Sequence, residues 1–529
     1  MSIILFNLHG QSSDYQEEVH LAVNTTNILV GESLSFSAFV YSNATKNVSA
    51  LSSILYIELV DESGRSVSKT KIGLRKGRGA GNMYIDPDWM SGTYRIRAYT
   101  RWMMNYESFY EQKVLILNPY SGITVGESIS GDPIRFEDTM DGLTVYQPAQ
   151  DVSLNIGSLE PSTLSIAITK ATKLYYPNEI ELNNKGVEMR SFEKLPEYRY
   201  GLVQGKISKP SGELNQLRVN MIIKGSSMQV ATTKTDKYGR FWMSYNPDYC
   251  ARSAEVQVYV EDDSVSQIIL VNEYYENHTP LDSVYTAIDS IIAKEIIERS
   301  IHSQVQRAYE GVEKPISNDV KNYTLPSAEV YYLDDFRRFS SVRDTFIELI
   351  KYVGVSKSEG NYRMNVRCAP PDGLLSANKS PLILLDGLEV SSQDILSQSP
   401  NEIEKIEIVP EYYFVNDIAY KGVISVHTFG RKDLETRTRG LKFPIANYQP
   451  YSDDSNTILL NENHPHYESD LLWNPIYKHA GGLVILDFAT SRLTGTYKIS
   501  ISGISNTGRA INLTRYFKVS DSVATNNSN

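Results

Sequence analysis

Cysteine is almost absent from this sequence: two residues in 529, Cys250 and Cys368, in segments assigned below to different domains. That excludes a disulfide framework within a domain and a zinc site built on several thiolates. The pair reads as small buried hydrophobes or free thiols. Tryptophan (4) is scarce beside tyrosine (36); with abundant Ser, Thr, Asn and Val this is a strand-favouring composition, and a mainly β, multidomain protein is expected. No run approaches 18 apolar residues, so no transmembrane helix is expected. Acidic residues outnumber basic ones 63 to 52, for a formal charge of -11, and no long single-sign run occurs. The basic surface that nucleic acid requires is missing. At about 100–200 residues per domain, the length allows three to five domains.

The first 13 residues, with apolar Ile3, Ile4, Leu5 and Phe6 running into Gly10, Ser12 and Ser13, read as a signal-peptide remnant without a basic start, which implies export, the alternative being a plain apolar arm. Residues 14–119 carry short alternating runs such as Leu34 to Val40 and Leu55 to Val60, separated by Gly-, Asp- and Ser-rich turns. Period two predicts strands with one face buried, hence a β-sandwich. The order Val30-Gly31-Glu32-Ser33-Leu34, Leu59 to Gly64, then Ser91-Gly92-Thr93-Tyr94-Arg95-Ile96-Arg97-Ala98-Tyr99 resembles the second macroglobulin-type domain of the alpha-2-macroglobulin family.

Residues 120–196, with a strand at Leu164 to Ile168, are expected to form a second β-domain. Residues 197–275 contain runs at Gly201 to Ile207 and Val219 to Gly225, followed by Thr235-Asp236-Lys237-Tyr238-Gly239-Arg240-Phe241. That Thr-Asp-x-x-Gly-x-Phe turn resembles the signature of the carboxypeptidase-regulatory-type, seven-stranded sandwich. Over 276–324, Val284, Ile288, Ile291, Ile292, Ile296 and Ile297 recur at helical spacing among charged residues, which predicts an amphipathic helical connector.

The window 325–434 combines an Asp-capped helix over Val342 to Val353, the apolar run Leu382 to Leu385 before the turn Asp386-Gly387, and strands at Ile403 to Val409 and Val423 to Thr428. In this order the elements resemble the α+β plug domain of TonB-dependent outer-membrane receptors, as found fused to surface proteins of Bacteroidetes-type bacteria; the text before the last strand is shorter than in receptor plugs. Residues 435–522, with Gly482 to Phe488 and Leu493 to Ile501, again resemble macroglobulin-type strands, so the plug-like segment reads as an insertion in a larger array of macroglobulin/Ig-like sandwiches. Residues 523–529 are Asn- and Ser-rich and read as a disordered tail.

The catalytic alternatives lack their residues. Neither cysteine lies in the Cys-Gly-Glu-Gln thioester motif of macroglobulins, and no histidine is followed three residues on by Glu, the spacing of a carboxypeptidase zinc site. No Gly-x-Ser-x-Gly or phosphate loop occurs. The residues after 434 are too few for a receptor barrel of about 22 strands. His464-Pro465-His466 with Glu468 and Asp470 is the best metal-like group but reads as a solvated loop; Asp61-Glu62 and Asp453-Asp454 lack the dense ligand pattern of a calcium loop. Arg337-Arg338 beside Asp334-Asp335 reads as a solvated ion-pair cluster.

The expectation is therefore a non-enzymatic protein with no cofactor and no metal, exported to the periplasm or outer membrane, whose partner is an outer-membrane barrel protein or complex. The candidate contact residues are Asp386, Gly387, Tyr412, Tyr413 and Phe414, taken as exposed tips beside strand ends. The alternatives are a shortened macroglobulin-like protease inhibitor without the thioester, and a carbohydrate- or metal-binding surface module, which exposed aromatics beside an acidic rim would favour.

Overall fold

A computed structural model describes residues 16–121, 143–171, 180–182, 194–224, 228–249, 253–260, 266–276, 279–280, 290–310, 325, 327–358, 360–368, 380–415, 418–429, 440–446, 448–458, 460 and 464–521. The expected leader 1–13 and tail 523–529, and Cys250, Val284 and Ile288, lie outside them. The protein is mainly β and multidomain; α-helices among the described residues are α1 (Ser290–Glu310), α2 (Val342–Glu348) and α3 (Ser392–Leu396). No helix among them is long and apolar enough to cross a membrane. The chain divides into two compact units, one of residues 1–199, 274–317 and 449–529, the other of residues 200–273 and 318–448.

The first unit holds two sandwiches. In one, Glu17–Val23, Ser33–Ser42 and Arg78–Tyr84 form a sheet in that order, and Ile180–Leu182, Tyr110–Leu117, Gly92–Tyr99, Ile54–Val60 and Ser66–Gly73 line up in the other. Alternation places Leu34, Phe36, Ala38 and Val40 inside. The strand Ile54–Val60 departs from the expectation of one buried face: every residue in it is buried, Glu58 included. Its outward residues Tyr56 and Glu58 lie opposite Lys71, Lys69, Tyr99 and Arg97 on the neighbouring strands. Residues 194–199 and 274–280 cross this face. Tyr56 donates to the Glu197 carboxylate at 3.0 Å and the Tyr275 amide to the Tyr99 hydroxyl at 2.9 Å, while the Tyr274 ring stands edge-on to Tyr56. Polar pairing of this kind lets a charged face be covered.

The second sandwich corrects the expected separation of 120–196 from 435–522. Ser162–Lys170 pairs on one side with Asp470–His479 and on the other with Gly495–Ser505, and Asp151–Leu159 pairs with Gly482–Ala489 across the core. Val152, Ile166, Ile168, Val484, Ile499 and Phe517 share one interior. The two long strands of the first window, with the short Val145–Tyr146 that pairs with Ala510–Val519, bury too little to stand by themselves, so the two windows build one domain.

In the second unit, Arg240–Tyr245, Gly201–Ser208 and Gln267–Leu270 face a sheet of Met228–Lys234, Arg218–Lys224, Ser253–Val260 and Leu441–Ala446. Seven strands result, the last contributed from beyond residue 434. At the predicted turn, Asp236 accepts from the backbone N–H groups of Tyr238 and Arg240, each at 2.9 Å, and Gly239 takes φ +76°, a conformation that needs no Cβ. Beside it lies a five-stranded sheet ordered Glu329–Tyr332, Ile403–Val409, Val423–Thr428, Leu382–Leu385, Leu388–Glu389. The run Leu382 to Leu385 is buried on both faces. Ile383 and Leu385 pack under α2 and α3 with Phe346 and Ile395, whereas Leu382 and Leu384 meet Ile222 and Tyr259 of the sandwich. An unbroken apolar run is what a strand covered on both sides requires.

Candidate functional site

The residues expected as exposed tips are not brought together. Asp386 is 6 % exposed and accepts from the Thr428 amide at 2.8 Å and its hydroxyl at 2.6 Å. With Asp386 at φ 51° and Gly387 at φ 85°, both positive as a tight Asp-Gly hairpin demands, the aspartate serves the turn and is no exposed tip. Tyr412, Tyr413 and Phe414 lie at the opposite end of the sheet, since Leu382 registers with Val423 and Val409 with Val423. Tyr413 is half-buried against the Ile222–Val423 cluster and Tyr412 is half-buried too. Phe414 is 54 % exposed, on a short hairpin with Ile418–Tyr420. Arg338 reaches the Pro400 and Ile403 carbonyls and the Asp334 carboxylate while stacking on Phe429. It staples a turn; it is not a freely solvated charge.

On the face of this sheet turned from α2 lies a buried polar row that the sequence did not flag. Lys405 and Glu407, two apart on one strand and both almost wholly buried, form a close ion pair. The Leu325 amide donates to Glu407 at 3.1 Å, and His427 Nε2 stands 3.7 Å from its carboxylate. Burial works to raise the Glu407 pKa, but His427, Lys405 and the Leu325 amide together outweigh it and hold the carboxyl at about 2. Ser425 Oγ is 3.1 Å from the same His427 Nε2. A Ser-His-carboxylate relay needs one partner on each ring nitrogen, and here serine and glutamate share one. The row is structural.

A cleft of about 660 Å³ opens in the first unit. One wall is the edge strand Arg78–Tyr84, presenting Ala80, Gly81 and Asn82; facing it are Trp473 and Pro475 of Asp470–His479, with Gln306 of α1 and the 464–470 segment. Gln449 occupies the strand edge, its amide pairing with the Asn82 N–H at 3.0 Å and C=O at 2.7 Å as a strand would. Gln306 accepts from the Tyr467 amide at 3.2 Å and donates to Glu468 at 2.7 Å. The His302 ring, tilted against that of Tyr467 with centroids 4.7 Å apart, adds to this hold.

The 464–470 segment is thus no solvated loop. His466 is 3 % exposed, at φ 55°, with Nδ1 3.8 Å from Glu468. Burial first, then Glu32, raise the Asp470 pKa against the opposing pull of Arg299 and of Asn24, whose amide donates at 2.7 Å. Among the described residues no three His, Cys, Asp or Glu side chains converge as a metal site would require. The carboxylates of the Asp61 turn are likewise occupied: Asp61 by Ser63 and Arg65, and Glu62 by the Thr93 amide. What the cleft offers is a set of carboxylates, amides and hydroxyls beside Trp473, with Tyr309 exposed near His464. His464, His466, Glu468 and Asp470 were visible as a group in sequence; Asn82, Gln306 and Gln449 carry no local signal and join only through folding. Cys368 is a free, half-buried thiol whose pKa burial raises.

No family model matches the chain, and no curated protein does. Among solved structures, it is similar to trypsin-activated alpha-2-macroglobulin from Escherichia coli at 9% identity over 98% of this chain and 24% of that one, TM-score 0.17. It is similar to Salmonella alpha-2-macroglobulin reacted with methylamine at 8% identity over 96% of this chain and 40% of that one, TM-score 0.26. With the D0-D1 domain of intimin the figures are 13% identity, 47% and 96%, and 0.14. The chain spans from about a quarter to two fifths of the length of these macroglobulins. The sandwich architecture rests on the strand pairing itself.

Proposed function

We propose that the protein is a non-enzymatic, exported contact protein of the bacterial outer membrane, in which sandwiches resembling macroglobulin and carboxypeptidase-regulatory domains space and support a plug-like domain that docks onto a barrel protein. The observation that carries this reading is the aromatic surface of the five-stranded sheet. Tyr332 is exposed on Glu329–Tyr332, an edge strand with no further partner among the described residues, and Phe336 and Phe429 are exposed at the same end of the sheet. Unsatisfied strand edges bordered by aromatics are suited to strand addition and to anchoring an interface.

Deleting residues 325–434 would be a poor test, because Leu382, Leu384 and Val423 share a core with Ile222 and Tyr259. Instead, crosslinked affinity purification from native outer membrane is to be run with Phe336→Ser/Phe429→Ser against the unaltered protein. Enrichment of one barrel protein, lost in the double variant at unchanged melting temperature, supports docking; recovery of the chain alone from both sinks it. A second reading, a saccharide-binding surface module, is favoured by the cleft, where Trp473 shares the lining with Asp454 and Glu468 and exposed Tyr309 lies near the lining residue His464. Binding of neutral oligosaccharides, abolished by Trp473→Ala, separates the two.

A further inference from the structure

On the first unit, away from the cleft, a groove of about 270 Å³ runs between the edge strand Glu17–Val23 and the outward face of the six-stranded sheet. Register builds that face row by row. Thr169 lies opposite Lys498 and Lys498 opposite Tyr516; the next row is Ala167, Ser500 and Thr514, and the next Ser165, Ser502 and Asn512. The rows present hydroxyls, an amide and an amine in adjacent positions, with Lys170 at one margin and His20 across the groove, its Nε2 3.1 Å from Ser502 Oγ.

Two features set this surface apart from ordinary polar packing. First, no aspartate or glutamate lines it, although the chain carries 63 acidic residues. Second, the Lys498 amine and the Ser165 hydroxyl have no side-chain partner among the described residues. Among the described residues, Lys498 makes no ion pair or hydrogen bond through its amine, and burial alone lowers its pKa. Lys170 is likewise lowered, first by burial and further by Arg299 of α1, with Glu295 and Glu298 of the same helix opposing to a lesser extent. Ser165 is 2 % exposed, and its hydroxyl has no hydrogen-bond partner. Buried polar groups in folded proteins are nearly always satisfied, so each exception asks for a ligand or an ordered water. Burial also lowers the His20 pKa, which keeps its ring neutral and available for hydrogen bonding rather than adding charge.

We propose that this groove binds an anionic sugar, a saccharide whose carboxylate or phosphate is taken by Lys498 and Lys170 and whose hydroxyls are read by Ser165, Ser500, Thr514 and Asn512. The amines supply charge-assisted bonds to the acid group. The hydroxyl rows supply the donors and acceptors that a sugar ring presents in return, and the half-buried Tyr516 gives it an apolar surface. The site is independent of the docking surface on the plug-like sheet and remains testable whether or not docking holds.

The test is calorimetric titration of the full chain with four ligands: a galacturonic acid trisaccharide, the matching neutral galactose trisaccharide, glucose 6-phosphate and inorganic phosphate. Binding of either anionic sugar, with the neutral trisaccharide silent and inorganic phosphate at least about tenfold weaker, is expected; which sugar binds tells carboxylate from phosphate recognition. Lys498→Gln is expected to weaken binding about tenfold or more, the scale of one charge-assisted bond, Lys498→Arg to retain it, and Lys206→Gln, an exposed lysine of the other unit, to leave it unchanged. Removing an unpaired cation does not unfold the sandwich, so the melting temperature of Lys498→Gln is expected to hold or rise. Silence of all four ligands, equal binding of the neutral trisaccharide that persists in Trp473→Ala and so does not come from the cleft, equal binding of inorganic phosphate, or unchanged binding in Lys498→Gln overturns the proposal.

Discussion

Glu407 shows how one residue type can read as surface in sequence and serve as core in structure. In Ile403-Glu404-Lys405-Ile406-Glu407-Ile408 three of six residues are charged, yet Lys405 and Glu407 are buried and paired. Replacing one member of such a pair strands the other, at a cost of about 3–5 kcal/mol. Glu407→Gln is therefore expected to lower stability by about that amount near neutral pH in denaturant titrations of the full chain. The pH dependence follows from the depressed pKa. Glu407 sits at about 2 in the folded protein against an ordinary 4.5, so its stabilisation is fully present above pH 4.5 and lost as the pH falls toward 2. The stability gap between the unaltered protein and Glu407→Gln is expected to narrow over that window; a gap that stays constant would show that the carboxylate does not hold its charge through the row.

At the scale of an element, α1 carries the clearest difference between pattern and outcome. The isoleucine spacing predicts that Ile292, Ile296 and Ile297 lie together on the buried face, but Ile297 is exposed, as is Ile301. The buried stripe runs through Ala293 and Ile296, packed on Leu29, Leu115 and Leu117. It then continues through polar residues: Arg299 grips both carboxylate oxygens of Glu32 at 3.0 and 2.6 Å, Ser300 contacts the Tyr120 hydroxyl, and Gln306 holds Glu468. A helix docked partly through hydrogen bonds has a face that apolar periodicity cannot locate. Ile297→Lys is expected to change stability by less than about 0.5 kcal/mol, as a surface substitution does. Ile296→Lys places an unpaired charge against the sheet and is expected to release α1, read as loss of hydrogen-exchange protection across Ser290–Glu310. Equal protection in the two variants would place the buried face elsewhere.

At the scale of the whole molecule, the second sandwich makes the ends of the chain interdependent: Ser162–Lys170 lies between two strands from beyond residue 469. Truncation after residue 457 is expected to leave Val152, Ile166 and Ile168 without their partners, and limited proteolysis should then cut within residues 143–171, which the full chain protects. Resistance of that segment in the truncated chain would mean that it folds alone. The mainly β class, the Asp236 turn with its glycine, the Asp386-Gly387 hairpin and the doubly buried run Leu382 to Leu385 were legible in sequence, because each depends on spacing between near neighbours and on the conformational needs of single residues. Part of the cleft was visible as His464, His466, Glu468 and Asp470, but not as a cleft. Contacts such as the Ser37 hydroxyl with the Pro475 carbonyl, 438 positions apart, leave no local trace. Tertiary structure alone decided which windows share a sheet, which charged residues are buried, and where Lys498 stands buried with no acid acting on it, since burial and pairing across such distances follow from the assembled core rather than from the period of any segment.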